Sequence, residues 1–233
     1  ERWYSCSLCE QNYHGVVQCA LGWACWKTYF GRPETGNARL GAMSALGNGL
    51  GAADHHEEAL SVKEATLAMM QRLGDSEENI LVVQGNLACT YEQLGRREDA
   101  LRMRQEVYSV HLKLNGEEHH ETMREALNYA LTLLGANRFE EAKVLMRKTL
   151  PVAQRVFGES YHLTLRIRFA YSMALYEDDC ATLDEVREAV NTLEEAERTA
   201  RRVLGGAHPL VEQIELGLRE SQAALEAREA KRA

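Results

Sequence analysis

Proline is nearly missing from this sequence, with three in 233 residues, and a chain so poor in helix breakers is free to be helical throughout. No stretch approaches the roughly 20 consecutive apolar residues that a membrane-spanning helix requires, so no membrane partner is expected. Surplus positive charge is missing too. The 27 Lys and Arg stand against 35 Asp and Glu, and a net charge of −8 argues against nucleic acid as a partner. Residues 4 to 26 contain no Lys or Arg at all, so the apolar patch from Val16 to Trp26 lacks the basic leader of a signal peptide. The chain starts at Glu1 without methionine and is expected to be part of a larger polypeptide or a processed product. The six cysteines show no disulfide framework, which favours a reducing, cytoplasmic setting.

What the chain does contain is repetition. GNLACTYEQLGRREDALRMRQEV, from Gly85, and ALNYALTLLGANRFEEAKVLMRKTL, from Ala126, are two versions of one helical hairpin, with equivalent alanines Ala100 and Ala142 spaced by 42 residues. Ala59 fills the same slot 41 residues upstream, and a fourth copy delays its alanine to Ala196, implying an insertion of about a dozen residues. Breaks at Gly74, Gly116, Gly158 and Gly205 divide the copies; glycine can end a helix in the left-handed conformation, and the acids or Thr that follow suit the free N–H groups of a new helix. Within a copy, Leu87, Tyr91 and Leu94 and then Ala100, Met103 and Val107 recur at helical spacing, so two amphipathic helices are expected. The turns between them are placed at Gly95 to Glu98 and at Gly135 to Arg138. A short side chain at the slot lets the two helices cross closely. Hairpins of this kind bury their apolar faces only by stacking, which creates an extended binding surface.

The frame from Asn86 to Ala100 (Asn-Leu-Ala, Tyr91, Leu-Gly-Arg, Glu-Asp-Ala) and the Gly-Glu-Glu-His break at Gly116 to His119 resemble tetratricopeptide repeats, in the long form found in kinesin light chains. The resemblance covers about Arg39 to Leu210 and implies an all-α, right-handed superhelical solenoid of antiparallel helix pairs. The expected organisation is a Cys- and Trp-rich cap over residues 1–36, four hairpins over 37–210 and a capping helix over 211–233. Departures are visible: Gly47, Gly49 and Gly51 fall in the opening helix of the first copy, at roughly 1 kcal/mol each relative to alanine, so a weak helix is expected there. The break proline occurs only at Pro209.

In the resembled fold the first helix of each copy lines the concave face. The positions this implies as a peptide-binding groove are Asn48 in the first copy, Asn86 and Cys89 in the second, Arg124, Leu127, Asn128 and Leu131 in the third, and Arg166, Phe169 and Met173 in the fourth. Two stacked arginines over an apolar strip suit a peptide that pairs acidic with bulky apolar residues, while asparagines suit its backbone. A chaperone-type carboxylate clamp is matched at Asn48, Asn86 and Arg124, but Ser44 and Asn128 stand where it needs cations. The alternative is that Arg124 and Arg166 pair with neighbouring acids.

Cys6, Cys9, His14 and Cys19 have the Cys-x2-Cys-x4-His-x4-Cys spacing of a zinc knuckle, and three thiolates with an imidazole suit tetrahedral Zn²⁺. Buried reduced thiols, or a Cys6 and Cys9 pair, fit the same residues. A helix from Val16 to Tyr29 is expected to cover the first repeat, with Trp23 and Trp26 as packing residues. Catalytic signatures are lacking. Gly47-Asn48-Gly49-Leu50-Gly51 has neither dinucleotide nor phosphate-loop spacing, and His56-Glu57 and His120-Glu121 open zinc-protease patterns that close on Leu60 and Arg124. The sequence thus predicts a non-enzymatic scaffold without a required cofactor, binding a peptide or partner protein; the alternative is a zinc-knuckle module whose functional site lies in residues 1–30.

Overall fold

The computed structural model describes residues 12–32 and 37–231, and among them every regular element is a helix. Ten follow one another: α1 (Gly15–Tyr29), α2 (Asn37–Ala52), α3 (His56–Leu73), α4 (Glu77–Gln93), α5 (Arg97–Asn115), α6 (His120–Gly135), α7 (Phe139–Phe157), α8 (His162–Tyr176), α9 (Leu183–Leu204) and α10 (Pro209–Ala230). The chain forms two compact units, divided within α5 between Val107 and Tyr108.

In the first unit α3 and α4 pack along the expected seam. Leu60, Leu87, Tyr91 and Ala100 form one cluster, with Leu67, Leu94 and Met103 against it. The slot alanines Ala59 and Ala100 are both fully buried, and so are Ala142 and Ala196 in the second unit. Such burial leaves no room for a longer side chain without moving a helix.

The glycines of α2 have a second cause besides the seam. A Cβ on Gly49 would stand 2.7 Å from the Gln18 carbonyl oxygen and 2.9 Å from the Cys19 Cα; one on Gly22 of α1 would stand 2.8 Å from the Ala45 carbonyl oxygen. The two helices therefore touch backbone to backbone, which only glycine permits. The glycines that weaken α2 as an isolated helix are what let α1 lie on it, and α2 forms over all 16 residues. On α1, Gly22 and Cys25 are buried and Trp26 packs beside them, whereas Trp23 is 44% exposed. Trp23 is thus a surface residue, rotated off the contact that Gly22, Cys25 and Trp26 occupy.

In the second unit one continuous core runs through α6, α7, α8, α9 and α10, with Leu127, Met146, Leu165, Ile167, Leu175, Leu193 and Ile214 fully buried. The hairpin turns show how the repeat is punctuated. Gly95 and Asn137, 42 residues apart, are the left-handed positions, with φ of +71° and +59°. Asn is among the few residues that tolerate this conformation, and Gly135, expected to release the helix, is instead the last residue of α6. At the breaks Gly158 and Gly205 take φ of +85° and +83° with ψ of 166° and 152°, a mirror-image extended conformation open only to glycine. Side chains cap the helices after the breaks at Gly74, Gly116 and Gly205: Ser76 accepts from the Asn79 N–H, and the Nδ1 atoms of His119 and His208 accept from the N–H groups of Glu121 and Leu210.

The fourth hairpin departs from the expected register. Its turn spans six residues, 177–182, against the three of 136–138, and α9 has 22 residues against 19 in α7. Counted from the helix start, the slot falls on the buried Val186, so the insertion is a few residues shared between turn and helix end, and Ala196 lies farther along the same buried stripe. The Thr182 and Glu185 capping box fixes where α9 begins.

Candidate binding surface

In the first unit the expected groove positions lie on α2 and α4. Asn48 and Asn86 are half-buried, and among the described residues neither side-chain amide has a hydrogen-bond partner. The backbone beneath Asn86 is held firmly: its carbonyl accepts from the Lys63 ammonium at 3.1 Å and from the Thr90 hydroxyl at 3.2 Å, and Lys63 also donates to Thr90 Oγ1 at 2.8 Å. Burial pushes the Lys63 ammonium below its ordinary value. Beside these residues a concavity of about 250 Å³ is lined by Leu40, Ser44, Met70, Asn79, Val82 and Val83, among others. Val82 is 55% exposed, an apolar side chain presented to solvent at its rim. Asn79 is occupied by Asp75, to which its amide donates at 2.8 Å. Cys89 is exposed but tied down, since Arg104 of α5 donates to its sulfur at 2.9 Å. Among its described residues this unit offers polar amides and a recess with apolar walls.

In the second unit the expected positions separate. Leu127 is 1% exposed and belongs to the core, because the face of α6 that carries it packs on α7 and α8. Arg124 is engaged: it pairs with Glu121 at 2.5 Å and with Glu125 at 3.1 Å. Asn128 also donates to Glu125, at 3.3 Å. Glu125, only 5% exposed, thus neutralises the arginine and occupies the asparagine together. Glu125 is not among the residues singled out from the sequence, although an acid set among Met123, Ala126 and Leu127 and adjacent to Arg124 signals an internal pair. Phe169 is half-buried and covered by α10, where a Cβ on Gly217 would lie 2.7 Å from the phenyl ring. Leu131 and Met173 are half-buried against the core. Arg166 differs: it is half-buried and, among the described residues, forms no ion pair. Its charge reaches His162, one turn earlier, whose imidazole is held below its ordinary value by burial, then by Arg166 and His208.

A second charged network also escaped the sequence. Lys143 of α7, nearly buried, meets Glu185 at 3.0 Å, Asp178 at 3.4 Å and Glu140. Burial alone would lower the Lys143 pKa, but the hydrogen bonds its ammonium donates to Glu140 and Glu185 outweigh it and raise the value. This network joins the long turn to α7 and α9 inside the core, so it is structural.

Of the zinc-knuckle residues, Cys6 and Cys9 lie outside the described residues. His14 stands exposed at the N-cap of α1, and Cys19 packs against the cluster of Leu46, Leu50 and Ala59. Among the described residues no group of three or more His, Cys, Asp or Glu is placed to hold a metal ion, and no helix is long and apolar enough to cross a membrane.

Comparison with known proteins agrees with this geometry. A tetratricopeptide-repeat family model matches residues 81–121 and 126–160. No curated protein sequence matches the chain. Among solved structures, a Podosopora anserina protein with kinesin light chain nearly identical TPR-like repeats superimposes with a TM-score of 0.65 at 18% identity, covering 80% of this chain and 85% of that one. BtubC (BKLC) from P. vanneervenii gives 0.68 at 17% identity, covering 92% and 89%. A Rap protein complexed with Competence and Sporulation Factor gives 0.58 at 12% identity, covering 93% of this chain and 60% of that one. At these identities the likeness is one of fold. Together with the two matched repeats and the buried slot alanines, it shows tetratricopeptide repeats over residues 81–121 and 126–160 and, for the chain, an all-α solenoid of antiparallel helix pairs like that of the kinesin-light-chain-like repeat structures.

Proposed function

We propose that this chain is a non-enzymatic scaffold that binds an extended peptide of a partner protein along the exposed face of α2 and α4. Tetratricopeptide-like repeats generally mediate protein–protein interaction, and the matched Rap structure is a complex with Competence and Sporulation Factor. The observation that carries the reading is the pair of half-buried side-chain amides, Asn48 and Asn86, left without partners among the described residues. Neither amide is among the buried unsatisfied groups, so both reach solvent, and a peptide backbone supplies the donor and acceptor that each can use. The recess rimmed by Val82 receives a bulky apolar side chain of the same peptide. In the second unit, taken by itself, Arg124 is a poor peptide contact because Glu121 and Glu125 already hold it.

The test is an array of internal peptides combining acidic and bulky apolar residues, probed with the purified chain. Replacing Asn48 and Asn86 by alanine should weaken the bound peptides by about 1 kcal/mol for each hydrogen bond lost. Val82→Glu should abolish binding with helical content unchanged, because Val82 is exposed. Full affinity in these folded variants would remove the α2 and α4 face as the site.

A further inference from the structure

A concavity on another part of the second unit has no counterpart in that reading. It measures about 540 Å³ and is lined by Glu159 in the turn before α8, Arg168 of α8, and Glu195, Arg198, Thr199 and Arg202 of α9. Three guanidinium groups and one hydroxyl thus meet in a chain whose net charge is −8. Arg168 is only 7% exposed. Its Nη2 donates to Glu159, but among the described residues its buried Nε has no hydrogen-bond partner. A buried guanidinium donor without an acceptor is rare and calls for a cause. Nε and Nη2 form one edge of the planar fork, the edge that takes an oxyanion through two parallel hydrogen bonds. Glu159 uses half of that edge, and it is itself more than half exposed and free to turn outward.

The other two arginines are also uncommitted. Arg198 donates to the Glu194 carbonyl, and among the described residues neither Arg198 nor Arg202 forms an ion pair. They sit four residues apart on α9, where like charges repel. Arg201, on a different face, reaches both Glu197 and Glu215, so acids are within range of arginines in this stretch and yet do not serve these two. The carboxylates of Glu159 and Glu195 oppose an anion here, but the three guanidinium groups outnumber them, and with Glu159 turned outward the balance favours a doubly charged oxyanion.

We propose that this concavity binds a phosphomonoester dianion, seated between Arg168, Arg198 and Arg202 with Thr199 as a neutral donor. The same chemistry is offered by free phosphate and by a phosphorylated side chain of a peptide. The test uses the full chain, isotopically labelled, and titrates inorganic phosphate, a phosphoserine peptide and its unphosphorylated form at constant ionic strength. Saturable shifts of the Arg168, Arg198, Thr199 and Arg202 amides are expected with both phosphate-bearing probes and none with the unphosphorylated peptide. Tighter binding of the phosphopeptide assigns the site to a phosphorylated partner; equal binding assigns it to phosphate itself. Arg198→Gln with Arg202→Gln, both exposed, should raise the dissociation constant roughly tenfold or more through two lost charge-assisted bonds while leaving helical content intact. The proposal is overturned if phosphate gives no saturable response at millimolar concentration, or if the double variant binds it as the parent does.

Discussion

Adding one methyl group at Gly49 should strip α1 from α2. Helix propensity alone says the reverse, since alanine is worth about 1 kcal/mol more than glycine inside a helix. The new Cβ, however, would lie 2.7 Å from the Gln18 carbonyl oxygen and 2.9 Å from the Cys19 Cα. Those atoms are backbone and cannot rotate away, so the helices themselves must part. Overpacking of this kind costs about 1 to 3 kcal/mol, and separation further loses the burial of Cys25 and Trp26 against Ala42, Ala45 and Leu46. A net destabilisation of about 1 to 2 kcal/mol is expected, concentrated in the first unit. Gly41→Ala is the control: it lies in the same helix, and a Cβ there meets nothing within 4 Å, so it should stabilise by up to about 1 kcal/mol. Tryptophan fluorescence reads the contact, because Trp26 packs at the interface while Trp23 is already largely wetted. Gly49→Ala should red-shift the emission and lower the denaturation midpoint. Gly22→Ala on top of it should cost much less than it does alone, because the contact is already open. If Gly49→Ala raised the midpoint as Gly41→Ala does, with unchanged emission, the backbone-to-backbone packing of α1 on α2 would be wrong.

Two further outcomes concern charge in the second unit. Lys143→Ala leaves Asp178, Glu185 and Glu140 facing one another without their cation and should cost about 3 kcal/mol in chemical denaturation, against almost nothing for the exposed Lys148→Ala. His162 has a folded pKa below its ordinary 6.5, so the unfolded chain binds the proton more readily; stability is full above about pH 6.5 and falls as the pH drops below it. His162→Gln should flatten that slope in thermal scans from neutral to mildly acidic pH, and an unchanged slope would place the acid sensitivity elsewhere.

The repeat itself was legible because its signal is local and periodic. Ala59, Ala100 and Ala142 announce their helix crossings through spacing alone, and all three are fully buried. The register of the fourth hairpin was not, since apolar and small residues recur along the whole buried stripe of α9 and Ala196 mimics the slot that Val186 fills. Gly49 was misread for a different reason: its partner, Gln18, lies in another helix, and nothing in the local pattern names it. At the candidate site the resemblance placed Leu127 and Phe169 at groove positions, but the first is turned into the core and the second is covered by Gly217 of α10. The pairing of Arg124 with Glu121, three residues away on one helix, was within reach of sequence reasoning. That the side-chain amides of Asn48 and Asn86 have no partner among the described residues was not, since it depends on what every neighbouring helix presents to them.

The most direct test of the scaffold reading is a chemical-shift map of the labelled chain titrated with the tightest peptide from the array. Perturbations centred on Ser44, Asn48, Val82 and Asn86 are predicted, from the exposed faces of α2 and α4. Perturbations confined to α3 and α5, with α2 and α4 silent, would contradict it.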